Sequence, residues 1–166
     1  VDRVLPVEAG NAVFVLTFLR RGLPLLYNGN EIADNSLSSF FGPVENERRA
    51  RKTVDWARAL QPDGQKRLQL LRNLAKLRHE MPVFSVGTQD WLIEGEASGC
   101  VTFVRRAGGK SVLVAANLTG TETSFRLKER FQSNGAALLS ENASLEADGT
   151  CRFGPWGYFV YKSHKE

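Results

Sequence analysis

The stretch Gly22–Glu31, GLPLLYNGNE, constrains this chain more than any other. Leu23, Leu25, Leu26 and Tyr27 form an apolar run of strand length. Asn28-Gly29-Asn30 then switches to turn residues, and Glu31 closes the stretch with a carboxylate. A buried strand that runs into a polar turn is the layout of a site in a parallel α/β protein. There the body of the strand packs and its C-terminal end carries the chemistry.

The flanking sequence fits that reading. Val7–Arg21 has helical spacing through Val7, Val13, Leu16 and Leu19, with Phe14 and Phe18 widening the apolar face. Pro6 suits a first turn, and Gly22 suits the position just past a helix end. Glu8 near the start and Arg20-Arg21 at the end match the helix dipole. Helix, glycine and strand make one αβ unit with a short connection, as parallel sheets use. After Glu31 periodicity is lost until about Gln65. A loop of that length, placed after a strand's C-terminal end, is expected to cover a site. A second helix opens at Asp63-Gly64 and shows Leu68, Leu71, Leu74, Leu77 and Met81 as its apolar stripe. Lys66, Arg67, Arg72, Lys76 and Arg78 are expected on the solvent faces, and Pro82 stops the helix.

From Gly87 the pattern changes to short alternating segments with turn residues between them. Candidate strands are Asp90–Glu94, Cys100–Arg106, Ser111–Asn117, Thr123–Leu127, Ala136–Ser140, Cys151–Phe153 and Gly157–Lys162. Ala107-Gly108-Gly109-Lys110 reads as a hairpin turn. Such spacing predicts a small antiparallel β-sandwich. The expected fold is therefore mixed α/β over residues 1–85 followed by all-β over residues 86–166. No linker-like composition separates the two parts, so they are expected to pack directly.

Charge and composition exclude several functions. The net charge of +4 is spread among acidic residues, as in Glu45, Glu47, Arg48 and Arg49, and no nucleic-acid motif accompanies it. No run of about eighteen apolar residues is present to cross a membrane. No leader-like pattern is visible before Pro6. The two cysteines, Cys100 and Cys151, both fall in strand-like sequence, where free thiols are favoured over a disulfide. No Cys/His cluster has metal-ligand spacing, and no cofactor is expected. Asn117-Leu-Thr and Asn142-Ala-Ser are formal glycosylation sequons.

Gly22-x-Pro-x-x-Tyr-x-Gly-x-Glu31 resembles a segment of the α-amylase family of glycoside hydrolases. In that family the segment is the eighth strand of the (β/α)8 barrel and the loop after it. Arg51-Lys-Thr-Val-Asp-Trp56 resembles the family's Arg-x-Pro-Met-x-Trp loop, with Thr53 and Val54 in place of Pro-Met. Leu70–His79, with Met81-Pro82-Val83-Phe84 and Gly87, resembles the end of the last barrel helix. Val101-x-Phe-x-Arg105, Val112–Asn117 and Gly154-Pro-Trp-Gly-Tyr-Phe-Val160 resemble the C-terminal β-domain. The resemblance implies that residues 1–85 are the C-terminal portion of a barrel domain and residues 86–166 its β-sandwich.

A barrel needs about 250 residues, and retaining glycosidases need two carboxylates flanking the scissile bond. The family's catalytic carboxylates come from earlier strands, so the resemblance implies that this chain holds none of them. Asp2 lacks the Asn-His-Asp context of the third. What remains are candidate substrate-binding residues: Tyr27, Asn30, Glu31, Arg51 and Trp56. Tyr27 and Trp56 offer rings to a sugar face. Glu31 is expected first to bond loop amides, and Arg51 to pair with Glu31 or Asp55. Trp91 and Trp156 are expected in core or interdomain packing.

The implied partner is an α-glucan or oligosaccharide in the complete enzyme, with no nucleic acid and no membrane. A lone barrel strand has two open edges, so the chain is expected to dimerise, swap elements or associate through exposed barrel surface. The rival reading is a stand-alone carbohydrate-binding or structural β-sandwich module.

Overall fold

A computed structural model describes residues 5–35, 54–92, 99–127 and 131–163. A long helix α1 (Val7–Leu19) leads into a 3-10 turn, Asn30–Ile32. A second 3-10 turn, Trp56–Leu60, precedes α2 (Pro62–Glu80) and the single-turn α3 (Val83–Val86). Six strands follow: β1 (Thr88–Trp91), β2 (Cys100–Ala107), β3 (Lys110–Asn117), β4 (Thr123–Arg126), β5 (Leu139–Leu145) and β6 (Thr150–Lys162). All pairings are antiparallel, in the order β1-β2-β3-β6-β4, with β5 also on β6.

The β2–β3 hairpin forms as its sequence predicts. Ala107 faces Lys110, and Gly108 and Gly109 take φ of 56° and 69°. Two successive left-handed residues make the turn whose twist matches the strands, and glycine adopts that conformation without steric cost. The Val112–Ala116 run is continuously apolar because both faces of β3 are covered. Val112, Val114 and Ala116 join the core under the helices with Phe103, Tyr158 and Val160, against Val15, Leu19, Leu74 and Phe84. Leu113 and Ala115 join a second core with Val104, Phe159, Cys151 and Phe153.

Two of the expected strands are one. Cys151–Phe153 and Gly157–Lys162 are halves of β6, which bends around Trp156, at φ 55°. Its first half pairs with β4 and its second with β3, while β5 follows both halves past a bulge near Asn142. A Cβ on Gly157 would stand 2.3 Å from the Asn142 carbonyl oxygen, so the bend requires glycine there. The bend lets Phe153 stack on Phe159, centroids 5.1 Å apart. The result is a small helix-plus-antiparallel-sheet unit, consistent with a β-sandwich although hydrogen-bonded as one sheet. The expected strand at Ala136–Ser140 begins instead at Leu139, and the one at Asp90–Glu94 lies at Thr88–Trp91. Glu94 itself lies outside the described residues.

Helix α1 is buried on several sides, with Phe14, Val15, Phe18 and Leu19 inside and Val13 and Leu16 only half-buried. Its C-terminal carbonyls are served from elsewhere in the chain and not by the Arg20-Arg21 side chains. Arg78 of α2 donates to Phe18 O at 2.7 Å and also to Gly22 O. Arg105 of β2 donates to Leu19 O at 3.2 Å. The same guanidinium reaches Phe84 O at 3.2 Å, Gly87 O at 2.9 Å and Thr88 O at 3.0 Å. Arg105 is fully buried. Burial, and then the charges of Arg78 and Arg21, lower its pKa from the ordinary value. One side chain of β2 thus ties together the ends of α1, α3 and β1.

Three further sequence expectations meet the structure here. Both cysteines are free thiols, and burial pushes Cys100 up to about 11. Asn117 is fully buried. It donates to Thr121 O at 2.7 Å and Gly154 O at 3.0 Å, and accepts from Thr119 N at 2.9 Å. The first sequon is therefore a loop brace, not an accessible acceptor, while Asn142 is exposed. No described helix is long and apolar enough to cross a membrane.

Arg105→Met should cost about 3 kcal/mol or more, because several buried carbonyls lose their donor. Arg105→Lys should recover little of that, since an ammonium cannot fork to all four. Urea denaturation of the two variants checks both statements. A second test concerns Tyr158, whose hydroxyl donates to Glu141 Oε2 at 2.8 Å while Lys66 of α2 pairs with the same carboxylate. Burial, then the Glu141 hydrogen bond and charge, raise the Tyr158 phenol above its ordinary value. With the folded value above the unfolded one, this contribution is full below about pH 10 and is lost as pH rises further. Tyr158→Phe should therefore be less stable by about 1 kcal/mol at neutral pH. Its gap to wild type should narrow in alkaline solution, which denaturation midpoints across that range will read.

Candidate functional site

The stretch from Gly22 to Glu31 does not form the buried strand that its sequence predicts. Leu23–Tyr27 forms no regular element and has no strand beside it among the described residues. Leu23 is 95% exposed, Leu25 83% and Tyr27 63%. A parallel strand is stabilised by neighbours on both edges and by helices over both faces. The described residues supply neither, so the apolar run forms no strand and faces solvent.

The polar turn after it is well held. Asn30 N donates to Tyr27 O at 3.0 Å, and Asp34 N donates to Gly29 O at 2.9 Å. Gly29 has φ of 91°, and a Cβ there would touch Asp34 Cβ at 3.0 Å and Val54 Cγ1 at 3.3 Å. Glycine is therefore required at this point, by backbone and by space. Glu31 Oε2 accepts from Gly29 N at 2.8 Å, so this carboxylate is committed to its own turn. Ala33 also takes a left-handed conformation, at φ 52°, and its carbonyl accepts from Arg58 Nε at 3.0 Å.

The Val54 contact brings the second segment alongside. Asp55 caps the Trp56–Leu60 turn by accepting from Ala57 N at 3.2 Å. This leaves Trp56 57% exposed at the edge of the turn. Tyr27 and Trp56 are thus two exposed aromatic side chains flanking the Gly29–Val54 contact. Asn30 is half-buried, and its carbonyl accepts from Arg67 at 3.2 Å. Arg51 lies outside the described residues.

Arg67 departs from its sequence expectation. It is fully buried, where a solvent face was expected. It bonds Asn11 Oδ1 and Asn30 O, donates to Val7 O at 3.0 Å, and stands 4.9 Å from the Phe14 ring centroid. A charge in that place is held by hydrogen bonds and the ring face. The signal was legible: 67, 71, 74 and 78 share one helical face, and Leu71 and Leu74 on it are buried. Arg67 therefore fixes α1, the Asn30 turn and α2 to one another. Gly64 completes the junction, since a Cβ there would stand 1.9 Å from Arg58 O and 3.2 Å from Ile32 O.

The β-unit carries a separate open depression of about 630 Å³, lined by Glu122, Ser124, Asn142, Ser144, Arg152 and Gly154 among others. Arg152 pairs there with Glu146. Trp91, expected in core or interdomain packing, is 53% exposed on edge strand β1 and packs edge-to-face on Phe103. Trp156 is half-buried near Gly120. Among the described residues no cluster of three His, Cys, Asp or Glu side chains forms that could hold a metal ion.

No family model and no curated protein matches the chain. Solved structures do. An isomaltulose synthase mutant from Erwinia rhapontici NX5, in complex with D-glucose, aligns over 95% of this chain at TM-score 0.73 and 16% identity. Trehalulose synthase MutB from Pseudomonas mesoacidophila MX-45 aligns over 95% at TM-score 0.72 and 17% identity. Both are α-amylase-family enzymes. The chain spans 38% of the length of each, a C-terminal part. The chain thus has the fold of the C-terminal part of these enzymes.

Gly64→Ala separates two opposing effects. Alanine favours a helix over glycine by about 1 kcal/mol, but the new methyl meets a backbone oxygen that cannot yield without moving the 3-10 turn. We expect a net loss of about 1–2 kcal/mol and a changed Trp56 fluorescence. A variant more stable than wild type would show that the Trp56 turn does not rest on α2.

Proposed function

We propose that this chain is the C-terminal part of an α-amylase-like glycosidase acting on α-glucans or α-glucosides by a retaining mechanism. The observation that carries the reading is the alignment over 95% of the chain with isomaltulose synthase, one form of which is in complex with its natural substrate sucrose. The order of sequence features from Gly22 to Val160 supports it independently. In this reading residues 1–85 end a (β/α)8 barrel and residues 86–166 form its β-domain.

The division of labour follows from where the carboxylates are spent. A retaining glycosidase needs a nucleophile and a general acid about 5–5.5 Å apart. Near the turn, Glu31 is bonded to Gly29 N and Asp55 caps the Trp56 turn. Asp34 is buried against Gly29. None of these three presents a pair to a cleft, which supports the reading that the catalytic carboxylates come from earlier barrel strands. The role left to the chain is the rim of the cleft. Tyr27 and Trp56 offer apolar ring faces to a pyranose, and Asn30 and Glu31 shape the turn that positions Tyr27. Burying a sugar's apolar face on an aromatic ring excludes water while its hydroxyls keep polar partners. No cofactor enters this role.

The exposed Trp91 favours a second reading, a carbohydrate-binding or structural β-module. An assay with maltooligosaccharides and sucrose, with a starch pull-down, separates the two. The 166-residue chain should show no turnover and no Trp91-dependent retention on starch. Clear turnover would overturn the placement of the chemistry outside this chain. Retention abolished by Trp91→Ala would favour the module.

A further inference from the structure

Two places in the chain put asparagine directly before glycine: Asn28-Gly29 and Asn134-Gly135. In such a pair the glycine amide nitrogen can close a five-membered ring on the asparagine side-chain carbon Cγ. Glycine has no side chain to block that approach, and asparagine is among the thermolabile residues for this kind of reason. The nitrogen attacks after losing its proton. Whatever holds the N–H, or opposes a negative charge there, slows the reaction. By sequence the two pairs are equivalent, and the structure separates them.

At the first pair Asn28 is exposed but Gly29 is buried. The Gly29 N–H donates to Glu31 Oε2 at 2.8 Å, and the Gly29 carbonyl accepts from Asp34 N at 2.9 Å. An amide anion here would face the carboxylate that now accepts its proton, and a like charge so close disfavours it. Space is closed as well. Asp34 Cβ and Val54 Cγ1 stand 3.0 Å and 3.3 Å from where a Gly29 Cβ would be. The nitrogen cannot swing toward Asn28 Cγ without undoing the turn.

Asn134-Gly135 has none of this protection. Both residues are exposed, and a Cβ on Gly135 would meet nothing within 4 Å. No described residue accepts from the Gly135 N–H. The pair opens a short loop tied to β6 at each end. Asn134 N donates to Lys162 O at 2.8 Å, and Leu138 N donates to Val160 O at 2.8 Å.

We infer that Asn134 is a site of spontaneous deamidation in the folded protein, while the Gly29 turn shields Asn28. Gly135 N gives up its proton and bonds to Asn134 Cγ. The Cγ–Nδ2 bond breaks, and Nδ2 takes up a proton and leaves as ammonia. Water then opens the cyclic imide at either carbonyl. One opening gives aspartate, the other isoaspartate, whose main chain runs through Cβ and Cγ. Either product lowers the net charge of +4 by one. The isoaspartate form also adds a main-chain carbon to a loop bonded at both ends, which loosens the end of β6 where Ser133 bridges Ser163. This inference does not depend on the glycosidase reading.

Peptide mapping by mass spectrometry tests it, on the 166-residue chain held at neutral and mildly alkaline pH, both folded and in urea. In the folded chain Asn134 should convert about tenfold faster than Asn28 or more, a barrier difference of about 1.4 kcal/mol. Conversion of Asn134 should quicken as pH rises, because the attacking nitrogen must lose its proton. In urea the Gly29 turn is gone, and the two sites should convert at similar rates. Equal rates at the two sites in the folded chain would overturn the inference. So would an Asn134 that converts in urea but stays intact when folded. A tenfold ratio that persists in urea would overturn it too, since the fold would then not be what separates the sites.

Discussion

Arg105 stands inside the protein with its guanidinium bonded to four backbone carbonyls at the ends of α1, α3 and β1. Each of those carbonyls sits where regular structure runs out: the end of α1, the single turn α3, Gly87 after it, and the start of β1. Helix and strand ends have acceptors with no local donor. Buried acceptors must find one or the fold loses about 1–3 kcal/mol for each. A planar group with several donors is suited to gather such ends at one point. The helices therefore do not simply lie on the sheet. They are fastened to it where their own hydrogen bonding fails, and the core of Leu19, Leu74, Phe84 and Phe103 forms around that fastening.

Arg67 repeats the device at the other end of the helical layer. It joins the first turn of α1, through Val7 and Asn11, to the carbonyl of Asn30. The candidate rim thus rests on rigid elements, although it is itself a turn. Gly29 and Gly64 remove the methyl groups that would keep the Asn30 turn, the Trp56 turn and α2 apart. Tyr27 and Trp56 can be exposed and still be positioned, because the backbone beneath each is bonded.

Legibility varied with how local the cause was. The Gly108-Gly109 hairpin and the two-sided burial of β3 were readable because turn chemistry and apolar alternation act between near neighbours. α2 is readable as a helix, yet hydropathy runs its apolar stripe through Leu68 and puts Arg67 on a polar face. Hydropathy ranks arginine as a surface residue, and only its partners on α1 and the Asn30 turn make it an interior one. The single β6 reads as two strands because Gly154-Pro155-Trp156-Gly157 looks like a break. In three dimensions the chain bends there without ending the ladder to β5. Of the candidate site, Glu31's bond to a loop amide follows from its turn, whereas the exposure of Tyr27 and Trp56 depends on what packs around them.

Sequence by itself determined the two long helices, the antiparallel strands after Gly87, the hairpin and the turn at Gly29. These rest on backbone preferences and on periodicities that span only a few residues. Tertiary structure decided whether GLPLLYNGNE is a strand at all. Its apolar residues fit it for pairing, but a strand exists only beside another strand, and no described element stands next to Leu23–Tyr27. It also decided that Arg67 and Arg105 belong inside, because a buried charge is tolerable only where separate parts of the chain converge to bind it.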